Sequence, residues 1–109
     1  MAGKIKVIIK RPDELYGHVT NISSSLENLQ KTVGGYIEAV GIGEGMVILC
    51  NEEGKIRQLP YNIRVGTPSL IVDIICGDLI VVGADGEEFT DVPIDFQTWK
   101  RLLVNWGNY

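Results

Sequence analysis

Two cysteines, one histidine and fourteen carboxylates are the side chains of this 109-residue chain that could ligate a metal or move a proton. His18 has no second histidine and no cysteine at ligand spacing, so a zinc site is not expected. Cys50 and Cys76 lie in runs that read as buried strands, which suits reduced core thiols. A disulfide between them requires neighbouring strands, which spacing alone does not decide. Glu52 and Glu53 are adjacent in a turn, where neighbouring side chains diverge into solvent; a hydrolytic pair needs two acids facing one cavity. Asp73 and Asp78 flank a β-rich region without a D-x-D cluster to support a metal. Ser23, Ser24 and Ser25 lack a G-x-S-x-G setting and fit helix capping better than nucleophilic attack. Gly41, Gly43 and Gly45 depart from G-x-G-x-x-G spacing and precede a strand, whereas nucleotide loops open a helix. These residues predict no catalytic site, no metal and no cofactor.

The elements that would carry these side chains begin with the stretch from Leu26 to Gly54. Ser24 and Glu27 have capping-box spacing. Leu26, Leu29 and Val33 share one helical face, and Gly34 or Gly35 ends the helix, predicted over about 25–33. Residues 36–40 read as a strand, 41–45 as a hairpin loop, and 46–50 as a strand covered on both faces. Asn51 to Gly54 reads as a turn. Before this unit, residues 4–10 form a strand stopped by Arg11-Pro12-Asp13, and 15–22 suit a second strand pairing with it. After it, residues 55–59 read as a short edge strand with charges outward. Residues 59–69, punctuated by Pro60, Asn62, Gly66 and Pro68, read as the longest loop. Residues 70–75 and 78–83 are β-rich around a bulge or turn at Gly77. Asp85-Gly86 signals a hairpin returning through 87–90. Asp95 caps a last helix bearing Phe96, Trp99, Leu102, Leu103 and Trp106 on one face. The whole is α+β in one domain, 1–109: a mixed or mainly antiparallel sheet, one short central helix and a C-terminal helix.

Composition limits the functional classes. Hydrophobic residues make up 45% of the chain, enough for a core. The apolar runs fall far short of a membrane span. The N-terminus is too short and too charged in its apolar run for an export signal, so the expected location is the cytoplasm. A net charge of −4 excludes a basic nucleic-acid footprint. Fourteen acids partly offset by ten bases are too few to imitate a DNA duplex, although they favour basic protein partners.

The segments LENLQKTVGGYIEAV, VILCNEEGKIRQLPYN and DIICGDLIVVGADGEEF together resemble a small domain family of unknown function, from roughly Lys4 to Phe89. That family is common in Firmicutes, their phages and mobile elements. The matching residues are Leu26, Leu29, Val33, Gly34, Gly35, Tyr36 and Ile37, then Asn51 to Gly54, then Leu59, Pro60 and Asn62, then Gly77 and Gly83. Tyr61 stands where the family often has a second proline, and a longer insertion often precedes the Asp73 region. The resemblance supplies no catalytic residues. It implies an accessory protein, and some relatives look like inhibitors of type II CRISPR nucleases.

On these grounds the expected function is non-enzymatic: a binder that blocks a host anti-phage defence component. The alternatives are a sponge for a cyclic or ADP-ribose-type nucleotide signal, a small hydrolase of such a signal, and a structural module with no defence role. The partner is a host defence protein or a nucleotide signal, without direct nucleic-acid or membrane binding. The expected binding surface joins Asn51, Glu52 and Glu53 to Leu59, Pro60, Tyr61, Asn62 and Arg64, brought together across the strand at 55–58. Tyr61 and Arg64 suit stacking and anion contact. The competing reading is that Asn51, Gly54, Pro60 and Asn62 only shape turns. The tail from Trp99 to Trp106 suggests a homodimer if its apolar stripe is uncovered, and a monomer face if the stripe packs on its own sheet.

Overall fold

The computed structural model describes residues 3–67 and 69–108. In chain order it contains β1 (Lys4–Lys10), β2 (His18–Ser23), α1 (Leu26–Val33), β3 (Ile37–Gly41), β4 (Met46–Asn51), β5 (Tyr61–Thr67), β6 (Leu70–Cys76), β7 (Leu79–Asp85), β8 (Glu88–Thr90) and α2 (Phe96–Asn105). The fold is α+β, as expected.

The main sheet runs β2-β1-β7-β4-β3, with β8 joined to β7, and every pairing is antiparallel. The hairpin expected before the first helix is present, registered from Lys4 opposite Ser23 to Ile9 opposite His18. One edge of β7 is shared: residues 79–81 pair with β1 and residues 83–85 pair with β8. β5 and β6 form a separate two-stranded hairpin.

Alternation along the strands splits the core into two layers. Val7, Ile9, Leu49, Ile80 and Val82 face Leu29 and Val33 of α1. Ile8, Ile48, Cys50, Leu79 and Val81 face the other way. There they meet Ile63, Val65 and Ile75 of the hairpin, and Trp99, Leu103 and Trp106 of α2. The order is helix, sheet, then hairpin with helix. The two tryptophans pack edge to face at 6.2 Å, and the Trp99 indole N–H donates to the Tyr16 carbonyl at 2.9 Å. Trp99, Leu103 and Trp106 of the tail are therefore buried within the protomer, while Val104 is exposed.

Four sequence expectations are corrected. The cap of α1 is Ser25, whose hydroxyl accepts from the Asn28 N–H, while the Ser24 hydroxyl donates to the Gly3 carbonyl. Leu26, in the first turn, lies outside the core and is exposed. Residues 55–59 are not a strand. Arg57 N–H bonds to the Glu53 carbonyl, Gln58 to Lys55, and Leu59 to Gly54, so the segment closes on itself as a helical turn. Without a neighbouring strand, its alternating charges had nothing to pair with. Finally, residues 61–67 are strand β5, not loop. Ile63 and Val65 bury inward, and bulges after Tyr61 and Val65 absorb the irregular residues. Pro68, placed in that loop, lies outside the described residues.

Candidate functional site

The eight residues expected to bind fall into two groups. Asn51 ends β4 and is buried. Its Nδ2 donates to the Val33 carbonyl at 3.2 Å, and its Oδ1 accepts from the Glu53 N–H at 2.8 Å. It thus ties the end of α1 to the turn after β4. Gly35 is needed beside it, because a Cβ there would sit 2.8 Å from Asn51 Nδ2. Asn62 is buried as well. Its Nδ2 donates to the carbonyls of Lys10 and Gly77, both at 2.8 Å, and its Oδ1 accepts from Lys10 Nζ at 2.6 Å. Leu59 is half-buried against Gly77. Arg64 Nε donates to the Trp106 carbonyl at 2.8 Å, at the C-terminal end of α2, where positive charge opposes the helix dipole. These four side chains make contacts within the fold, Asn51 and Asn62 through buried hydrogen bonds.

Glu52, Glu53, Pro60 and Tyr61 are exposed. They do not form one surface across a strand, since residues 52–58 are turns. Tyr61 instead lines a cleft of about 280 Å³ with Lys10, Glu14, Leu15, Asn62 and Asn108. Glu53 borders a shallow groove with Tyr36, Lys31 and Arg57.

Residues that the sequence reading did not select stand out by exposure. Ile56 is 82% exposed on the turn, Leu70 is 69% exposed and Val72 is 64% exposed on β6, with Ile71 and Ile74 also exposed. Lys55 joins the two segments through an ion pair from Nζ to Asp73 Oδ1 at 2.7 Å. This hydrogen bond also raises the lysine pKa above its usual value. Through this pair the turn carrying Ile56 meets β6, whose Leu70, Val72 and Ile74 are exposed, giving an aliphatic margin with Lys55 and Asp73 between them. No sequence signal marks it, because a strongly aliphatic strand such as LIVDIIC reads as buried. The β6 margin is guarded against a further strand: Val72 is the extra residue of a bulge, and the Ile74 N–H is bonded by the Asp73 carboxylate at 2.7 Å.

Other reactive groups are held in place. Burial, followed by the nearby Glu38 and Asp73 charges, pushes the Cys50 thiol up to about 12, so it stays protonated and unreactive at neutral pH. Burial alone would raise the Glu14 carboxyl, but the Arg11 N–H and the His18 side chain outweigh it and hold the group below its usual value. Burial lowers Lys10, only partly offset by the Glu14 and Asp13 charges. No group of three or more histidine, cysteine or carboxylate side chains suited to a metal occurs among the described residues. No helix among them is long and apolar enough to cross a membrane.

A family model described as a domain of unknown function, DUF3846, matches residues 5–103, and the chain belongs to that family. Comparison with curated proteins and with solved structures returned no match.

Proposed function

We propose that this DUF3846-family chain is a non-enzymatic binding protein that acts by occupying a partner protein. The observation that carries the reading is the exposed aliphatic margin of Ile56, Leu70, Val72 and Ile74. Exposed aliphatic side chains beside charged groups suit a protein-binding surface. Arg57, exposed on the same turn as Ile56, and the exposed Tyr36 that shares a groove with it are residue types that anchor interfaces. The guarded edge of β6 supports packing against its side chains over strand addition.

The partner we propose is a host anti-phage defence component, with the protein acting in the host cytoplasm as a phage or mobile-element accessory factor. The support is the resemblance of the three segments quoted above to proteins of phages and mobile elements. The test is phage plating on defended hosts, including one carrying a type II CRISPR nuclease. Expression of the protein should raise plating efficiency on at least one. The paired Ile56→Asp and Val72→Asp variant should lose that effect while keeping its melting temperature, since both sites are exposed. An unchanged effect in the variant moves the binding surface elsewhere. No effect of the wild-type protein on any defended host rejects the anti-defence reading.

A further inference from the structure

Lys10 closes β1 with its side chain buried and only 3% of the residue exposed. A lysine ammonium has three N–H donors. Asn62 Oδ1 accepts one at 2.6 Å, and the Arg11 carbonyl, at 3.4 Å, is at the limit for a second. The third has no protein acceptor among the described residues. Nor does any carboxylate there pair with Lys10 within 4.0 Å. The nearest candidate, Glu14, is already committed: one oxygen accepts from the Arg11 N–H at 2.9 Å and the other meets His18 Nδ1 at 2.8 Å. Asn62 cannot turn away, because its Nδ2 holds two backbone carbonyls. A buried cation without a close counter-charge is costly, and proteins generally keep such groups paired. Here Lys10 and Asn62 line the open cleft of about 280 Å³ that also receives Leu15, Pro12 and Tyr61.

We propose that this cleft binds the carboxylate of a small organic acid, with Lys10 as the charge partner. A monoanion fits the local balance. There is one buried ammonium, and Glu14 on the cleft wall and the nearby Asp13 charge oppose any ligand of higher negative charge. A phosphate dianion would need at least one more cation. The Tyr61 hydroxyl donates to Asn108 Oδ1 over a long 3.4 Å, and turning from that bond would let it donate to the second carboxylate oxygen. Leu15 and Pro12 offer an apolar wall to a short tail, and the volume admits few heavy atoms. This inference is independent of the aliphatic margin and stands if the partner reading fails.

The test is an NMR titration of labelled protein with isobutyrate, with isobutyramide as the neutral isostere, and with inorganic phosphate. Isobutyrate should give saturating shifts at Lys10, Asn62 and Tyr61. It should also raise the titration midpoint of the Lys10 Cε signal, because a bound carboxylate favours the charged amine. The amide and phosphate should bind at least about tenfold more weakly. Lys10→Met should abolish the isobutyrate shifts. The proposal is overturned by any of three results: no saturation up to about 100 mM, equal binding of the amide, or unchanged shifts in a folded Lys10→Met protein. Should that variant fail to fold, the Lys10 midpoint in the wild-type protein decides: no rise on adding isobutyrate rejects the site.

Discussion

Gln58 carries a backbone φ of +55°, the left-handed conformation that ends the turn of residues 53–59. Glycine is the usual residue there because a Cβ is strained at that angle. Gln58→Gly should therefore stabilise the protein by about 1 kcal/mol, read as a raised urea midpoint with unchanged slope. No gain would mean that the Gln58 side chain compensates the strain. Lys10 gives a pH-dependent counterpart. Burial lowers its pKa from the usual 10.5, so above the folded-state value the unfolded chain binds more protons. Stability from this group then rises with pH until the unfolded lysine also deprotonates near 10.5. The stability of the wild type relative to Lys10→Met should be flat near neutrality and increase as pH approaches that value. Denaturant melts across the alkaline range measure it, and a constant difference would show that the amine titrates alike in both states.

Among the elements, α1 shows how one residue sets a boundary. Both Ser24 and Ser25 can cap, but it is the Ser25 hydroxyl that accepts from the Asn28 N–H, while that of Ser24 donates to the Gly3 carbonyl. Ser25→Ala should cost about 1 kcal/mol, whereas Ser24→Ala should stay within about 0.5 kcal/mol. Equal losses would mean that the Ser24 bond to Gly3 matters as much as the cap. At the other end Gly34, at φ +78°, makes the left-handed stop expected of the glycine pair. The β5–β6 hairpin is the element that most changes the picture of the site. It converts a supposed binding loop into a core layer, and turns the adjacent strand outward at its far end.

In the whole molecule, the sheet is covered on one side by a single short helix and on the other by the hairpin and α2. Both layers contribute to a small core, so truncation on either side should be severe. Leu29→Ala should lose roughly 2–4 kcal/mol and Trp99→Ala roughly 3–5 kcal/mol, since both side chains are fully enclosed. Chemical denaturation measures both. A small loss at Leu29 with a large one at Trp99 would mean that the α1 layer relaxes into its cavity. The alternation of Leu79, Ile80, Val81 and Val82 between the layers makes β7 the shared centre of both.

By itself the sequence determined the local elements whose signals are short-range. These include the α1 stop at the Gly34-Gly35 pair, the β7–β8 hairpin at Asp85-Gly86, the Asp95 cap and the apolar face of α2. Each depends on backbone angles or side-chain spacing within a few residues. It also marked Asn51, Pro60, Asn62 and Gly77 as special, without showing why. Tertiary structure supplied the reason. Asn51 reaches back to Val33 and Asn62 reaches Lys10, contacts between residues 18 and 52 positions apart in the chain. It also decided which apolar strand is covered. β4 and β6 are both strongly aliphatic, but β4 lies between β3 and β7 whereas β6 pairs only with β5. Burial depends on neighbours brought in from distant sequence, so the margin at Ile56 and Val72 became visible only in the assembled fold.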